Sequence, residues 1–336
     1  LERNAATGRR EIPVVEDWSQ RLECILLGSG GMMPMPDRLL SSMAVRLGGR
    51  IYLFDAGEAT QIGWKKAKLG LRGLTLVAVT HLHADHCLGL PGMMMFKAQV
   101  NEPSPLTILG PPGIRGFVED NRRMLDFHIN YRVDFVEWHD GWDGPAYEDD
   151  QVRVIWKTLK HTRLCLGYRI EEHDRPGKFD PLKAEALGIE RGPLWGKLQR
   201  GEAVAAADGR KISPDAVVGP GRRGRHIAYV VDTRPVKSIY ALCRNVDTAF
   251  IEGMFLSAHR EHAEAKGHLT AEEAAKISGR AGVASTILVH TSLRYTNDEL
   301  QLLEKEASQH FPSVRVGRDM DVFAIHYPDQ PSRPIP

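Results

Sequence analysis

Residues 22–27, 43–47 and 51–55 are short apolar runs separated by the turn formers Gly28-Ser29-Gly30-Gly31 and Gly48-Gly49. Such runs, rich in β-branched residues and bounded by glycine, predict strands. Residues 61–69 predict a helix, and residues 74–80 predict a buried strand. Further strands are expected over 154–160, 164–170, 226–231 and 285–289. Helices are expected over 298–309 and over 270–279, where Thr270 is the N-cap and Glu273 completes a capping box. Early hairpins followed by strand–helix alternation predict an α/β fold with a mixed sheet. No repeat of about 20–50 residues stands out. A structural relation between the two strand-rich halves is left open.

Residues 171–225 break this pattern. They are rich in glycine, proline and charge, contain Gly192-Pro193, and interrupt two predicted strands. An insertion of this length is usually functional or disordered. Residues 197–225 carry seven Lys/Arg against three Asp/Glu, a local net of +4. That charge suits either a solvated loop or an arm that touches an anionic partner. The expected organisation is an N-terminal extension over 1–20, a single domain made of 21–170 and 226–330, and an inserted arm over 171–225.

The densest chemistry lies in His81-Leu82-His83-Ala84-Asp85-His86, directly after the strand predicted at 74–80. Imidazole and carboxylate ligate zinc and similar divalent ions. Alternation sends His81 and His83 to one side, while Asp85 and His86, displaced along the turn, can serve a second ion. Completion requires donors at other strand ends. His161, Asp232 and His290 each follow an apolar run. The seven then divide into His81, His83 and His161 on one ion, Asp85, His86 and His290 on the other, and Asp232 bridging. Two ions about 3.5–4 Å apart can activate water and stabilise both oxygens of a phosphodiester displacement. Imidazole-rich ligation favours Zn2+, with manganese and iron also compatible. Asp55 is expected to orient one ligand histidine; its other reading is a cap for the 61–69 helix. The 28–31 loop lacks the third glycine and the following helix of a dinucleotide site, so it reads as a tight turn near the metal centre.

The bulk numbers narrow the class. The chain has 336 residues, 42% hydrophobic and 26% charged, as in an ordinary globular protein. No apolar run approaches the roughly 20 residues of a membrane span, and residues 1–20 show no signal-peptide stretch. Cys24, Cys87, Cys165 and Cys243 form no CxxC pair and read as buried thiols in a reducing cytoplasm, Cys87 as a packing residue. A net charge of +1 neither supports nor excludes a nucleic-acid partner whose contacts lie on one face.

The 81–86 run matches the HxHxDH signature of the metallo-β-lactamase fold, which thioesterases, lactamases, phosphodiesterases and nucleases share. Its surroundings are more specific. Phe54-Asp55-Ala56-Gly57-Glu58, Gly110-Pro111-Pro112-Gly113, Asp232-Thr233-Arg234-Pro235, Gly267-His268-Leu269-Thr270 and His290-Thr291-Ser292-Leu293-Arg294-Tyr295 resemble ribonuclease Z, the tRNA 3′-processing endonuclease family. The matches run in order from about residue 22 to 327. The resemblance implies a four-layer αβ/βα sandwich with an inserted arm, a homodimer, and precursor tRNA as substrate. It assigns Gly192-Pro193 to the arm's glycine–proline motif; Arg222, Arg223 and Arg225 of the basic stretch are expected as further substrate contacts. The expected reaction is removal of 3′ trailers by a two-metal-activated water. Asp85 would accept the nucleophile's proton, and His268, oriented by Glu252, would protonate the leaving 3′-oxygen. The chain departs from the family's His-Glu-Ala-Thr at Ile251-Glu252-Gly253-Met254, keeping the glutamate but not the histidine, as a ribonuclease Z-like subgroup would. The alternatives are a hydrolase of small phosphodiesters or thioesters on this fold, and a non-catalytic metal- and RNA-binding protein.

Overall fold

Among the described residues two seven-stranded sheets form face to face. The computed structural model describes residues 21–329, so the expected extension over 1–20 lies outside the described residues. In the first sheet β1 (Leu22–Gly28), β2 (Ser42–Leu47) and β3 (Arg50–Phe54) run antiparallel; β4 (Leu74–Ala78), β5 (Leu106–Gly110) and β6 (Val133–Glu137) then continue in parallel. The second sheet opens with antiparallel β7 (Tyr147–Glu148), β8 (Val152–Lys160) and β9 (Leu164–Glu172). After a small hairpin, β10 (Val204–Ala205) and β11 (Lys211–Ile212), it resumes with β12 (His226–Val230), antiparallel to β9. Parallel β13 (Thr248–Glu252), β14 (Ser285–Val289) and β15 (Val314–Val316) follow. The last strand, β16 (Val322–Ile325), crosses back to pair with β1. Both sheets share one plan, antiparallel strands giving way to parallel ones, which resolves the relation between the two halves.

Three apolar cores explain the layers. Phe54, Tyr168, Tyr229 and Phe250 pack between the sheets. Trp64, Leu90, Met93 and Ile114 join helices to the outer face of the first sheet. Ile239, Leu269, Ala274 and Leu303 do the same for the second. Strands covered on both faces become continuous apolar runs, so β1 and β13 are buried throughout. The result is helix, sheet, sheet, helix, the expected four layers.

The helix after β3 spans Thr60–Lys66, shorter than expected, because Lys68 turns the chain at φ 54° and the Trp64 indole donates to the Leu69 carbonyl. The helix Ala271–Ala281 carries the expected capping box: the Glu273 N–H donates to the Thr270 hydroxyl, and the Thr270 N–H to the Glu273 carboxylate.

Between β9 and β12 the insertion is ordered. Two extended segments run antiparallel as a neck, bridged at Arg175 with Arg222 and at Phe179 with Val218. Beyond it lie two short helices, Pro181–Ala186 and Pro193–Gln199, and the β10–β11 hairpin. Ala184, Ile189, Leu198, Val204, Ile212 and Val217 form a small core of their own. Gly192 and Pro193 open the second helix and are exposed. The neck corrects one sequence expectation. Arg225 is buried, its guanidinium donating to Glu172 at 2.6 and 2.7 Å, so it is not a surface contact for RNA. Arg222 and Arg223 are half-buried and paired with Asp329 and Asp247. The basic count over 197–225 overlooked these acidic partners, which lie outside that window.

Candidate metal centre

The site forms where strands of both sheets end. Asp55 follows β3, residues 81–86 follow β4, His161 follows β8, Asp232 follows β12, Glu252 closes β13, and His290 follows β14. Asp55, Asp232 and His290 all adopt positive φ, at 56°, 52° and 53°. Non-glycine residues held there carry backbone strain of a kind that collects at functional sites. The left-handed step turns each side chain off its strand direction and over the strand ends. The turn after β4 leads into the short helix Ala84–Cys87, which carries Asp85 and His86.

Seven donor groups converge in two sets. In the first, His81 Nε2 lies 2.9 Å from His83 Nδ1, and His161 Nε2 lies 3.4 Å from that same nitrogen. In the second, His86 Nε2 and His290 Nε2 are 3.2 Å apart, each 3.5 Å from Asp85 Oδ2. Asp232 stands between the sets. Its Oδ1 is 3.2 Å from His86 and His290, and its Oδ2 is 3.7 Å from His81 and 3.6 Å from His161. The structure thus brings the expected donors together in two groups, and a third group, Asp232 with Glu252, His268 and His290, overlaps them.

Side chains behind the donors fix their tautomers. His86 Nδ1 donates to Asp55 Oδ2 at 2.8 Å, and His161 Nδ1 donates to the Gly267 carbonyl at 3.0 Å. Each leaves its Nε2 lone pair facing the cluster. Asp55 does not cap the 60–66 helix, whose N-cap is Ala59. Fully buried, it also accepts from the Thr80 N–H at 2.7 Å and the Tyr229 hydroxyl at 3.2 Å. Cys87 is buried with its thiol on the His83 carbonyl, and all four cysteines are free and buried.

The donor set suits divalent cations. Burial by itself lowers His86, yet Asp232 and Asp55 raise it well above the ordinary imidazole value. Burial likewise opposes protonation of His290, but Asp232, Asp85 and Glu252 push it up to about 10. Burial raises Asp85, and hydrogen bonds from His290 and His86 overturn that to hold its carboxyl below the usual range. The carboxylates therefore demand positive charge inside a largely buried cluster, while burial and His86 drive His81 well below its usual value. Asp232 Oδ1 and His290 Nδ1 are buried without hydrogen-bond partners. Imidazole nitrogens and carboxylate oxygens turned toward one another form a donor set for cations such as zinc.

His268 and Glu252 border the cluster. His268 Nδ1 donates to Glu252 Oε2 at 2.9 Å, leaving Nε2 for other partners. The other Glu252 oxygen accepts from the Thr233 N–H at 2.6 Å and the Leu269 N–H at 3.1 Å. Ile251 points the opposite way, into the core beneath the helices, so the departure from the family motif falls on a packing position.

Several supporting residues were not expected. Asp319 accepts from the Ser29 N–H and hydroxyl and from the Leu39 N–H, pinning the glycine-rich loop. That loop closes on the site: the Met32 N–H donates to Asp85 at 2.7 Å, and a Cβ on Gly31 would lie 2.5 Å from His290 Nε2. Buried Arg38 ties the loop to the segment after His290 through Thr291, Ser292 and Tyr295. Arg234 pairs with Glu273 and donates to the His268 carbonyl.

A family model described as anti-Pycsar protein Apyc1 matches residues 22–115. The chain is similar to the short form of human tRNase Z (ELAC1), with a TM-score of 0.66 at 22% identity, covering 90% of this chain and 99% of that one. It is also similar to the metallo-β-lactamase fold protein YhfI of Bacillus subtilis, with a TM-score of 0.63 at 17% identity over 91% and 99% of the two chains. These likenesses show the metallo-β-lactamase fold. Ribonuclease Z of Treponema denticola is 41% identical over 308 residues, 92% of this chain and 99% of its own. With that identity spread over nearly the full length of both proteins, the chain belongs to the ribonuclease Z family.

Proposed function

We propose that the protein is a metal-dependent endoribonuclease that removes 3′ trailers from precursor tRNA. The observation that carries this reading is the convergence of seven donor side chains in two sets that meet at Asp232, with the Glu252–His268 pair at their edge. In this reading His81, His83 and His161 hold one cation, Asp85, His86 and His290 a second, and Asp232 contacts both; the imidazole-rich set favours zinc. Such cations, when bound, stabilise phosphoryl oxygens and lower the pKa of water. The chain's own groups supply the rest. Asp85, held by the Met32 N–H, accepts the nucleophile's proton. His268 presents Nε2 to the leaving 3′-oxygen and gives it a proton, while Glu252 keeps the opposite nitrogen protonated.

The exposed Gly192-Pro193 step at the arm's outer helix is the proposed tRNA contact. Exposed Ile62, Leu88 and Met95 around the 60–66 and 90–97 helices support a homodimer. Buried free thiols support action in the cytoplasm. Among the described residues no helix is long and apolar enough to cross a membrane. The test is incubation of zinc-loaded protein with a 3′-extended precursor tRNA and mapping of the cut. One cut at the 3′ side of the acceptor stem, leaving a 3′-hydroxyl, is expected. Turnover of a small chromogenic diester with the precursor left intact would refute the reading.

A further inference from the structure

The neck of the arm is fastened by a residue from the far end of the chain. Tyr327 follows β16, the edge strand of the first sheet, whereas the arm leaves from β9 of the second. The guanidinium carbons of Arg175 and Arg225 lie 3.3 and 4.1 Å from the centre of the Tyr327 ring. Two such groups cannot share one face of a ring at these distances without colliding, so the ring is sandwiched between them. Arg175 lies on the strand entering the arm and Arg225 on the strand leaving it. One aromatic ring therefore joins both strands of the neck.

The surrounding bonds hold the same joint. The Tyr327 hydroxyl donates to Glu172 Oε1 at 3.0 Å, the carboxylate that also receives the Arg225 guanidinium. Asp329 accepts from Arg175 at 2.7 Å, and the Ile325 carbonyl accepts from Arg225 at 3.2 Å. The strands also approach too closely for side chains: a Cβ on Gly177 would lie 1.8 Å from the Gly219 carbonyl, and one on Gly224 2.1 Å from the Glu172 carbonyl. The rest of the arm is small and has its own core, so its orientation depends on the neck.

We propose that Tyr327 is a positioning residue that clasps the arm's neck to the first sheet and sets the angle at which the arm presents RNA to the metal centre. This rests on the arm being a substrate-binding element. The test compares metal-loaded Tyr327→Ala and Tyr327→Phe with the parent by hydrogen exchange, precursor tRNA cleavage and turnover of bis(p-nitrophenyl) phosphate. Loss of the clasp should speed exchange across residues 173–180 and 217–225 by about tenfold or more. It should raise KM for precursor tRNA by about fivefold or more, with turnover of the small diester within about twofold. Tyr327→Phe keeps the ring and should restore the KM. Unchanged neck exchange in Tyr327→Ala overturns the proposal, as does an equal fall in both activities, which would mark a general stability role. Deleting residues 175–220 separates the two claims. If that deletion spares precursor cleavage, the arm's role in the proposed function is wrong, and the exchange data still decide the clasp.

Discussion

Replacing Asp55 with asparagine removes one charge from a side chain that touches no substrate. Its oxygens accept from the Thr80 N–H at 2.7 Å, the Thr80 hydroxyl at 3.0 Å, His86 Nδ1 at 2.8 Å and the Tyr229 hydroxyl at 3.2 Å. An amide has only one oxygen. If that oxygen faces Thr80, the NH2 meets the His86 N–H, and His86 must move its proton to the nitrogen that faces the cluster. If the amide is flipped, the NH2 meets the Thr80 N–H instead. The first outcome takes away the lone pair that faces the cluster, and the second leaves a fully buried donor opposite another donor. Loss of a hydrogen bond to a charged group costs about 1.5–3 kcal/mol, or roughly a ten- to hundredfold loss of metal affinity, the range for partners behind a ligand histidine. The assay is competition with a chromogenic zinc chelator, alongside Tyr229→Phe, which removes only the 3.2 Å contact and should cost about threefold or less. Zinc affinity within about twofold of the parent in Asp55→Asn would show that the carboxylate does not set the His86 tautomer.

His268→Ala should slow precursor tRNA cleavage by about a hundredfold or more while leaving zinc content unchanged; a rate within about twofold of the parent removes the general-acid role. Gly31→Ala places a Cβ 2.5 Å from His290 Nε2, so metal content measured after dialysis should fall although the fold melts normally; full occupancy would show that the loop can yield. Burial pushes Lys97 down to about 8 from 10.5. The folded state thus binds this proton more weakly than the unfolded chain, and stability should rise as pH goes from about 8 to 10. Lys97→Met should abolish that rise, on the order of 2 kcal/mol by urea denaturation at the two pH values; parallel pH profiles for parent and variant would refute it.

The donor residues were legible because each follows a strand that announces itself by apolar content. A histidine or aspartate at such an end has no core to join, and its chemistry stands out. Tyr229 gave no such signal, because in a run of Ile227, Ala228, Val230 and Val231 an aromatic reads as core, and only the fold brings its hydroxyl to Asp55. Arg38 and Asp319 were hidden for another reason. Their partners lie more than 250 residues away, and no local period encodes so distant a contact. The arm was misjudged in its charges for the same cause. Glu172, Asp247 and Asp329 lie outside the basic window and pair with its arginines only once the neck forms.

The division of the proposed ligands between the sheets bears on what a bound cation would do for the fold. His81, His83, Asp85 and His86 come from the first half, and His161, Asp232 and His290 from the second. Each set of three is mixed: His161 joins two residues of the first half, and His290 joins two others. Neither of these two sets is complete within one half, so one cation in either set would link both sheets. Asp232 strengthens the argument, since its two oxygens face different sets from one backbone position held at positive φ. A shift of one sheet against the other would therefore disturb both sets together. The apolar core between the sheets fixes their spacing, and the strained strand ends translate that spacing into donor positions. On this reasoning, loosening the inter-sheet core at Phe250 or Tyr168 should lower metal affinity before it lowers helix content, because the site depends on registry and the outer layers do not.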